Sequence, residues 1–384
     1  MREVFIASLM PDAVLVSSFF EGYVDNAVTS FGQFSGDVIS CVIAYDLIPL
    51  LNPLQYLDPH PDYACFYKSK VQQFKQADVF LAISESSRLE TLAHLGIEPF
   101  RTANISAACE TFFKPIIISP EQQQSRMAKW GLTKPFILYT GGADERKNLP
   151  RLIEAFALLP EETRSLYQLL FAGKLSQSQQ SDLIAIAKKH GVVESDLRFT
   201  GFLTDEELVI AYNLCQLFVF PSWHEGFGLP PLESMACGAP TIAGNTSSLP
   251  EVMGWQEALF DPFDVNSMVQ KMHQSLSDPA FRQQLIAHAH EQSKKFTWDA
   301  SARKALLAME SAVKRRQPAK ATPRTRLSPS GKTPKALLEL AARLLKKNNM
   351  LSDQDINTLA ASMASNEYQL SLHMNINTNQ TTFS

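Results

Sequence analysis

The stretch Phe220-Pro221-Ser222-Trp223-His224-Glu225-Gly226-Phe227-Gly228-Leu229-Pro230-Pro231-Leu232-Glu233-Ser234-Met235-Ala236-Cys237-Gly238 decides how this chain folds. It follows Leu217 to Phe220, an unbroken apolar run that reads as a strand buried on both faces. It leads into a short helix, Leu232 to Cys237, that Gly238 ends. A loop at the carboxyl end of such a strand is where open α/β sheets place their ligands. Gly226 and Gly228 let the backbone pass close to a ligand and expose its N–H groups. Pro230 and Pro231 suit the first turn of a helix, whose N-terminus favours an anion. Glu225 in the loop and Glu233 on the helix stand eight positions apart, and each can accept hydrogen bonds from ligand hydroxyls.

Outward from this stretch, strand and helix patterns alternate. Phe136 to Thr140, Gln168 to Ala172, Leu197 to Thr200 and Pro240 to Ala243 read as strands. Asn148 to Leu159, Gln179 to His190 and Asp205 to Leu214 read as the helices between them, and helices from Asn266, the last over Trp298 to Val313, close the unit. Nearer the N-terminus, strands are expected at Ala13 to Ser17, Val38 to Tyr45, Val79 to Ile83 and Thr102 to Ala107. Helices are expected over Tyr63 to Ala77 and over Glu85 to Leu95, the second capped by Ser84 and ended by Gly96. This alternation predicts α/β architecture with two doubly wound, Rossmann-like domains, at 1–120 and 121–313. About four strands fall in the first domain where a doubly wound nucleotide-binding fold has about six, so that domain is expected to be incomplete.

A second loop carries chemistry. Gly141-Gly142-Ala143-Asp144-Glu145-Arg146-Lys147-Asn148 follows a strand and opens a helix, and its two cations can meet an anion at the helix N-terminus.

The residues from His224 to Gly238 resemble the retaining GT-B glycosyltransferases of family four, whose hallmark is two glutamates eight positions apart in the setting H-E-G-F-G-L-P-x-L-E-x-M-A-C-G. The 141–148 loop is similar to the G-x-D-x-R-K-N segment of that family. Phe199-Thr200-Gly201-Phe202 resembles its base-contacting strand end, and Asn245 to Glu251 its loop after the next strand. Tyr45-Asp46-Leu47-Ile48-Pro49-Leu50 resembles a segment of members that build bacterial surface polysaccharides, with Tyr45 where many relatives carry histidine.

The resemblance implies transfer of a hexose from a GDP- or UDP-sugar, GDP-mannose first, to a glycan or lipid-linked acceptor, without a metal or other cofactor. Arg146 and Lys147 would stabilise the leaving diphosphate, Glu225 would hold the sugar hydroxyls and Glu233 the ribose. Gly141, Gly142, Gly201, Phe202, Gly226, Phe227, Gly228 and Leu229 would line the donor site. Asp46 has two readings, one orienting an acceptor hydroxyl and one capping the next turn. An epimerase or glycan phosphorylase would share the fold, but neither the acid/base residues of the one nor a cofactor lysine of the other can be identified. The short first domain keeps a further alternative open, a catalytically impaired transferase acting as a nucleotide-sugar-binding or partner subunit.

Composition bounds these readings. The 384 residues are 45% hydrophobic and 19% charged, with a net charge of −4, which argues against a nucleic-acid partner. Five cysteines without a C-x-x-C pair predict reduced thiols and a cytoplasmic protein with no metal cluster. Residues 314–335 hold eight basic residues and four prolines and read as a disordered linker, followed by a short amphipathic helix over Ala336 to Lys347 and a polar tail. This region reads either as a solvated extension or as a peripheral contact with an anionic membrane surface.

Overall fold

The computed structural model describes residues 2–9, 11–31 and 38–316. The basic linker, the helix expected after it and the tail lie outside the described residues, apart from the first residues of the linker. Two compact units make up the chain. One comprises residues up to 43, 65–79 and 309 onward, and the larger comprises 44–64 and 80–308.

In the smaller unit, β1 (Ala13–Val16) pairs in parallel with β2 (Ile39–Ala44), with Ala13 opposite Ile39 and Val16 opposite Val42. Asp78 ties down the start of β2, its carboxylate accepting from both the N–H and the hydroxyl of Ser40 at 2.8 Å. An aromatic cluster packs beside them, with Phe20 stacked on Tyr67 and tilted on Phe74. The helix Arg2–Leu9 precedes β1 in the chain.

The larger unit holds β3 (Val79–Ala82) and β4 (Thr102–Asn104), paired in parallel, and a six-stranded parallel sheet. Its strands are β5 (Phe136–Thr140), β6 (Gln168–Ala172), β7 (Leu197–Gly201), β8 (Leu217–Phe220), β9 (Thr241–Gly244) and β10 (Leu259–Phe260). Their order is β10-β9-β8-β5-β6-β7. Every residue of β5, β6, β8 and β9 is buried, as continuous apolar strands covered by helices on both faces require. Phe136, Phe171, Phe218 and Phe220 fill the interior of this sheet with Tyr139 and Tyr212. Several helices start where side chains satisfy their free N–H groups. Ser119 with Gln122, Ser176 with Gln179 and Thr204 with Glu207 each form a reciprocal capping box. Ser84 accepts from the N–H of Ser87 to open the helix Glu85–Leu95, and Gly96, at φ 65°, closes it.

The order matters more for function than the count. The chain leaves β5 toward β6 and β7 on one side, and β8 with β9 and β10 lies on the other, so the winding reverses between β5 and β8. A crevice opens at such a switch point at the carboxyl ends of the strands. The loops leaving those two strands are 141–148 and 221–228.

Among the described residues no helix is long and apolar enough to cross a membrane. All five cysteines are unpaired.

Candidate functional site

At the switch point the two loops are locked together. The Arg146 carbonyl accepts from the N–H of Trp223 and from the hydroxyl of Ser222, both at 3.0 Å. Asn148, held at φ 62° between a single 3₁₀ turn and the helix Leu149–Ala157, donates from its amide to the carbonyls of Pro221 and Pro262. With its backbone so fixed, the 146–147 pair directs both cations at one atom. Arg146 Nη1 lies 2.7 Å and Lys147 Nζ 2.6 Å from Oε1 of Glu225. Arg146 also donates to the carbonyl of His224, and Lys147 sits 5.0 Å from the centre of the Phe220 ring.

This cluster is buried, and burial governs its charges. Lys147 and Glu225 are 8% and 9% exposed. Burial pulls Lys147 below the usual lysine range, opposed by Glu225. Burial pushes Glu225 up, but Lys147 and then Arg146 more than offset it, so the carboxylate is held ionised. Two cations against one anion leave surplus positive charge. Asp144, more than half exposed and 3.8 Å from Arg146, faces water and offsets that surplus weakly. A site of low dielectric with unspent positive charge favours an incoming anion such as a diphosphate.

Glu233, on the helix Leu229–Ala236, is held differently. Tyr212, fully buried, donates to its Oε2 at 2.9 Å and lies 3.0 Å from the hydroxyl of Thr140. Burial raises Glu233 to about 7, with the Tyr212 hydrogen bond pulling down and Asp205 pushing further up. The two sequence-paired acids thus differ in electrostatic state. Glu225 is pinned ionised by cations, and Glu233 is poised to change charge near neutrality.

The glycines have distinct physical reasons. A Cβ at Gly226 would lie 2.7 Å from the Tyr45 carbonyl and 3.1 Å from Asp46, so the loop packs tightly on residues 45–46. Gly228, at φ 113°, sets the turn into the helix, where Pro230 and Pro231 occupy the first turn. Above Gly142 and Gly201 the space within 4 Å of such a Cβ is open. Gly141 takes φ 136°, and its carbonyl comes so near Gly173 that a Cβ there would lie 2.0 Å from it. Phe202 is 78% exposed and Leu229 is 41% exposed, both free to cover a ligand. Phe227 is buried, its ring edge-on to Phe296.

Asp46 accepts from the N–H of Ile48 at 3.0 Å, which caps the next turn. Burial raises its pKa, opposed by that N–H and then by Arg146. Beside it His224 lies 3.0 Å from the Asn52 amide through Nδ1 and 2.9 Å from the Glu90 carboxylate through Nε2. Because Asn52 supplies an N–H donor to Nδ1 and Glu90 an acceptor to Nε2, the pattern fits a ring proton on Nε2.

Several participants went unread in the sequence. Gly173 had a legible signal, a glycine directly after β6 matching Gly141 after β5 and Gly201 ending β7. Tyr212, Asn52 and Glu90 had none, since each reaches its partner across the fold. Ser247 and Ser248 lie in a segment matched only as a loop. The Ser247 hydroxyl accepts from the N–H of Glu225, and the Ser248 hydroxyl reaches the carbonyls of Glu225 and Phe227.

Residues 121–292 match the glycosyl transferases group 1 family. Among similar proteins, the serotype-specific mannosyltransferase WbdA of Escherichia coli is 44% identical over 297 residues, 77% of this chain and 36% of WbdA. The O-antigen chain mannosyltransferase B of Escherichia coli is 34% identical over 233 residues, 60% of each chain. The chain thus spans about a third of the length of the first relative and 60% of the second. The sucrose-phosphate synthase of Thermosynechococcus elongatus superposes with a TM-score of 0.59 at 21% identity, over 73% of this chain and 69% of that one. The chain therefore has the GT-B fold, and its residues 121–292 match the glycosyl transferases group 1 in a sequence similar to bacterial mannosyltransferases.

Proposed function

We propose that this chain transfers a hexose, mannose first, from a nucleoside diphosphate sugar to a hydroxyl of a glycan or lipid-linked acceptor, with retention at the anomeric carbon. The observation that carries the reading is the convergence of Arg146 and Lys147 on one oxygen of Glu225 at the sheet's switch point. A donor's diphosphate would draw the two cations toward itself and free Glu225 to accept from the sugar hydroxyls. Glu233 would accept from the ribose, and Phe202 would cover the base. As the bond from the anomeric carbon to phosphate breaks, the bond to the acceptor oxygen forms on the same face, and the acceptor proton passes to the departing phosphate oxygen. The chain's contribution is orientation and charge stabilisation, with no resident cofactor. Asp46 would orient the acceptor hydroxyl while remaining the cap of its turn. Unpaired cysteines support a reducing compartment, the cytoplasm, as the place of action.

Calorimetric titration of the full chain with GDP and with UDP, followed by transfer from GDP-mannose to an α-mannoside, tests this. GDP is expected to bind more tightly than UDP, and the mannoside to gain one residue. Failure of both nucleotides to bind folded protein would overturn it.

A further inference from the structure

A groove of about 510 Å³ runs beside the 143–145 turn, along the N-terminal parts of the helices Leu149–Ala157 and Gln177–Lys189. Its volume lies in the range of small-molecule sites, roughly 300–1,000 Å³. None of Arg146, Lys147, Glu225 or Glu233 lines it, although Asp144, Asn148 and Trp223 belong to both places. We propose that this groove is a second, non-catalytic carbohydrate site that holds a glycan on the same unit as the transferase site.

The chemistry of the lining carries the assignment. Trp223 offers a half-buried aromatic wall, with Phe263 beside it at 6.2 Å between ring centres and 55% exposed. Arg151 lies over Phe263 at 5.8 Å, its Nη1 donating to the Asn148 side chain. The groove is also lined by Glu145 and Asp182, both exposed carboxylates without an ion-pair or hydrogen-bond partner among the described residues, and by Gln179. Planar carboxylate and amide groups accept from and donate to neighbouring hydroxyls, and an aromatic face covers the apolar C–H face of a pyranose ring. Three carboxylates against one arginine disfavour a phosphate or nucleotide, so the groove is unlike the cationic cluster in what it would take. A neutral polyhydroxylated ligand satisfies the aromatic wall and the acids together.

The inference rests on the reading that this chain elongates a glycan, since the ligand would be that glycan held some distance from its growing end. Calorimetric titration with linear α-mannotetraose, on the full chain saturated with GDP, tests it. Saturable binding is expected, weakened roughly tenfold or more by Asp182→Ala and by Trp223→Ala, with GDP affinity unchanged in Asp182→Ala. Asp182 is exposed, so its variant keeps the test decisive should the tryptophan variant fail to fold. No saturable heat at millimolar saccharide overturns the proposal, as does binding that both variants leave intact. Heat from calcium chloride with none from the saccharide also overturns it, by showing a cation site. GDP binding without saccharide binding removes the groove and leaves the transferase reading standing, and loss of GDP binding removes the latter.

Discussion

Glu225 is a carboxylate that the protein already neutralises, and this separates binding from turnover. In the free chain its charge cancels part of that of Arg146 and Lys147. Glu225→Gln removes that cancellation while keeping the shape, so GDP should bind as well as or better than before. The sugar loses its acceptor, and kcat should fall by roughly 10²–10³, the cost of deleting one strong transition-state contact. Calorimetry beside steady-state kinetics reads both, and loss of GDP affinity would show instead that Glu225 only positions the cations. Glu233 makes a different prediction, through pH. Its folded pKa of about 7 lies above the ordinary 4.5, so the folded state binds more protons than the unfolded state between those values. Stability therefore falls as pH rises from about 4.5 to about 7 and is flat beyond. Ribose hydroxyls donate to the ionised form, so donor affinity moves the opposite way and strengthens as pH rises through 7. Titrations with GDP at pH 6 and pH 8 should show the gain, and Glu233→Gln should abolish it.

At the scale of elements, glycines and strand ends set the geometry that side chains exploit. Gly173 stands where the loops after β5 and β6 touch, its missing Cβ occupied by the Gly141 carbonyl. Gly173→Ala must push the 141–147 loop aside, costing roughly 1–3 kcal/mol by denaturant titration and weakening GDP binding through the displaced cations. Full GDP affinity in this variant would show that the loop position does not matter. The same element shows what the sequence disclosed. Apolar runs bounded by capping residues made the strands from Val79 and Phe136 and the helix Glu85–Leu95 readable, because period and cap are local. The Leu229–Ala236 helix starts three residues before Leu232, directly after its N-cap Gly228, because both prolines belong to its first turn. The helix Pro120–Lys129 was not expected, although Ser119 and Gln122 form its capping box, since its face carries few apolar residues. The strand β10 is two residues long and rests on pairing with β9, a long-range contact without a local pattern. The acids and cations were named from the sequence, but their meeting at one oxygen follows from the β8-β5 adjacency, which no local spacing encodes.

For the whole molecule, the consequence is coupling between ligand and stability. Arg146, Lys147, Glu225, Glu233, Asp46 and the glycines around them all lie in the unit of 44–64 and 80–308, although Asp46 is far from the others in sequence. A ligand that engages them binds only when this unit is folded and stabilises it by mass action. At a hundredfold excess over Kd the gain is about 2.7 kcal/mol, a rise in Tm of about 5–10 °C for a unit of this size. Thermal melting with and without GDP should show that rise. The variant carrying both Arg146→Ala and Lys147→Ala starts from a lower Tm, because Glu225 is left as an unpaired buried charge. That baseline does not affect the test, which reads only the increment that GDP adds. The increment should vanish in the double variant and persist in Asp182→Ala, because the cations meet the diphosphate and the groove does not. An increment that survives loss of both cations would place the nucleotide elsewhere in the unit.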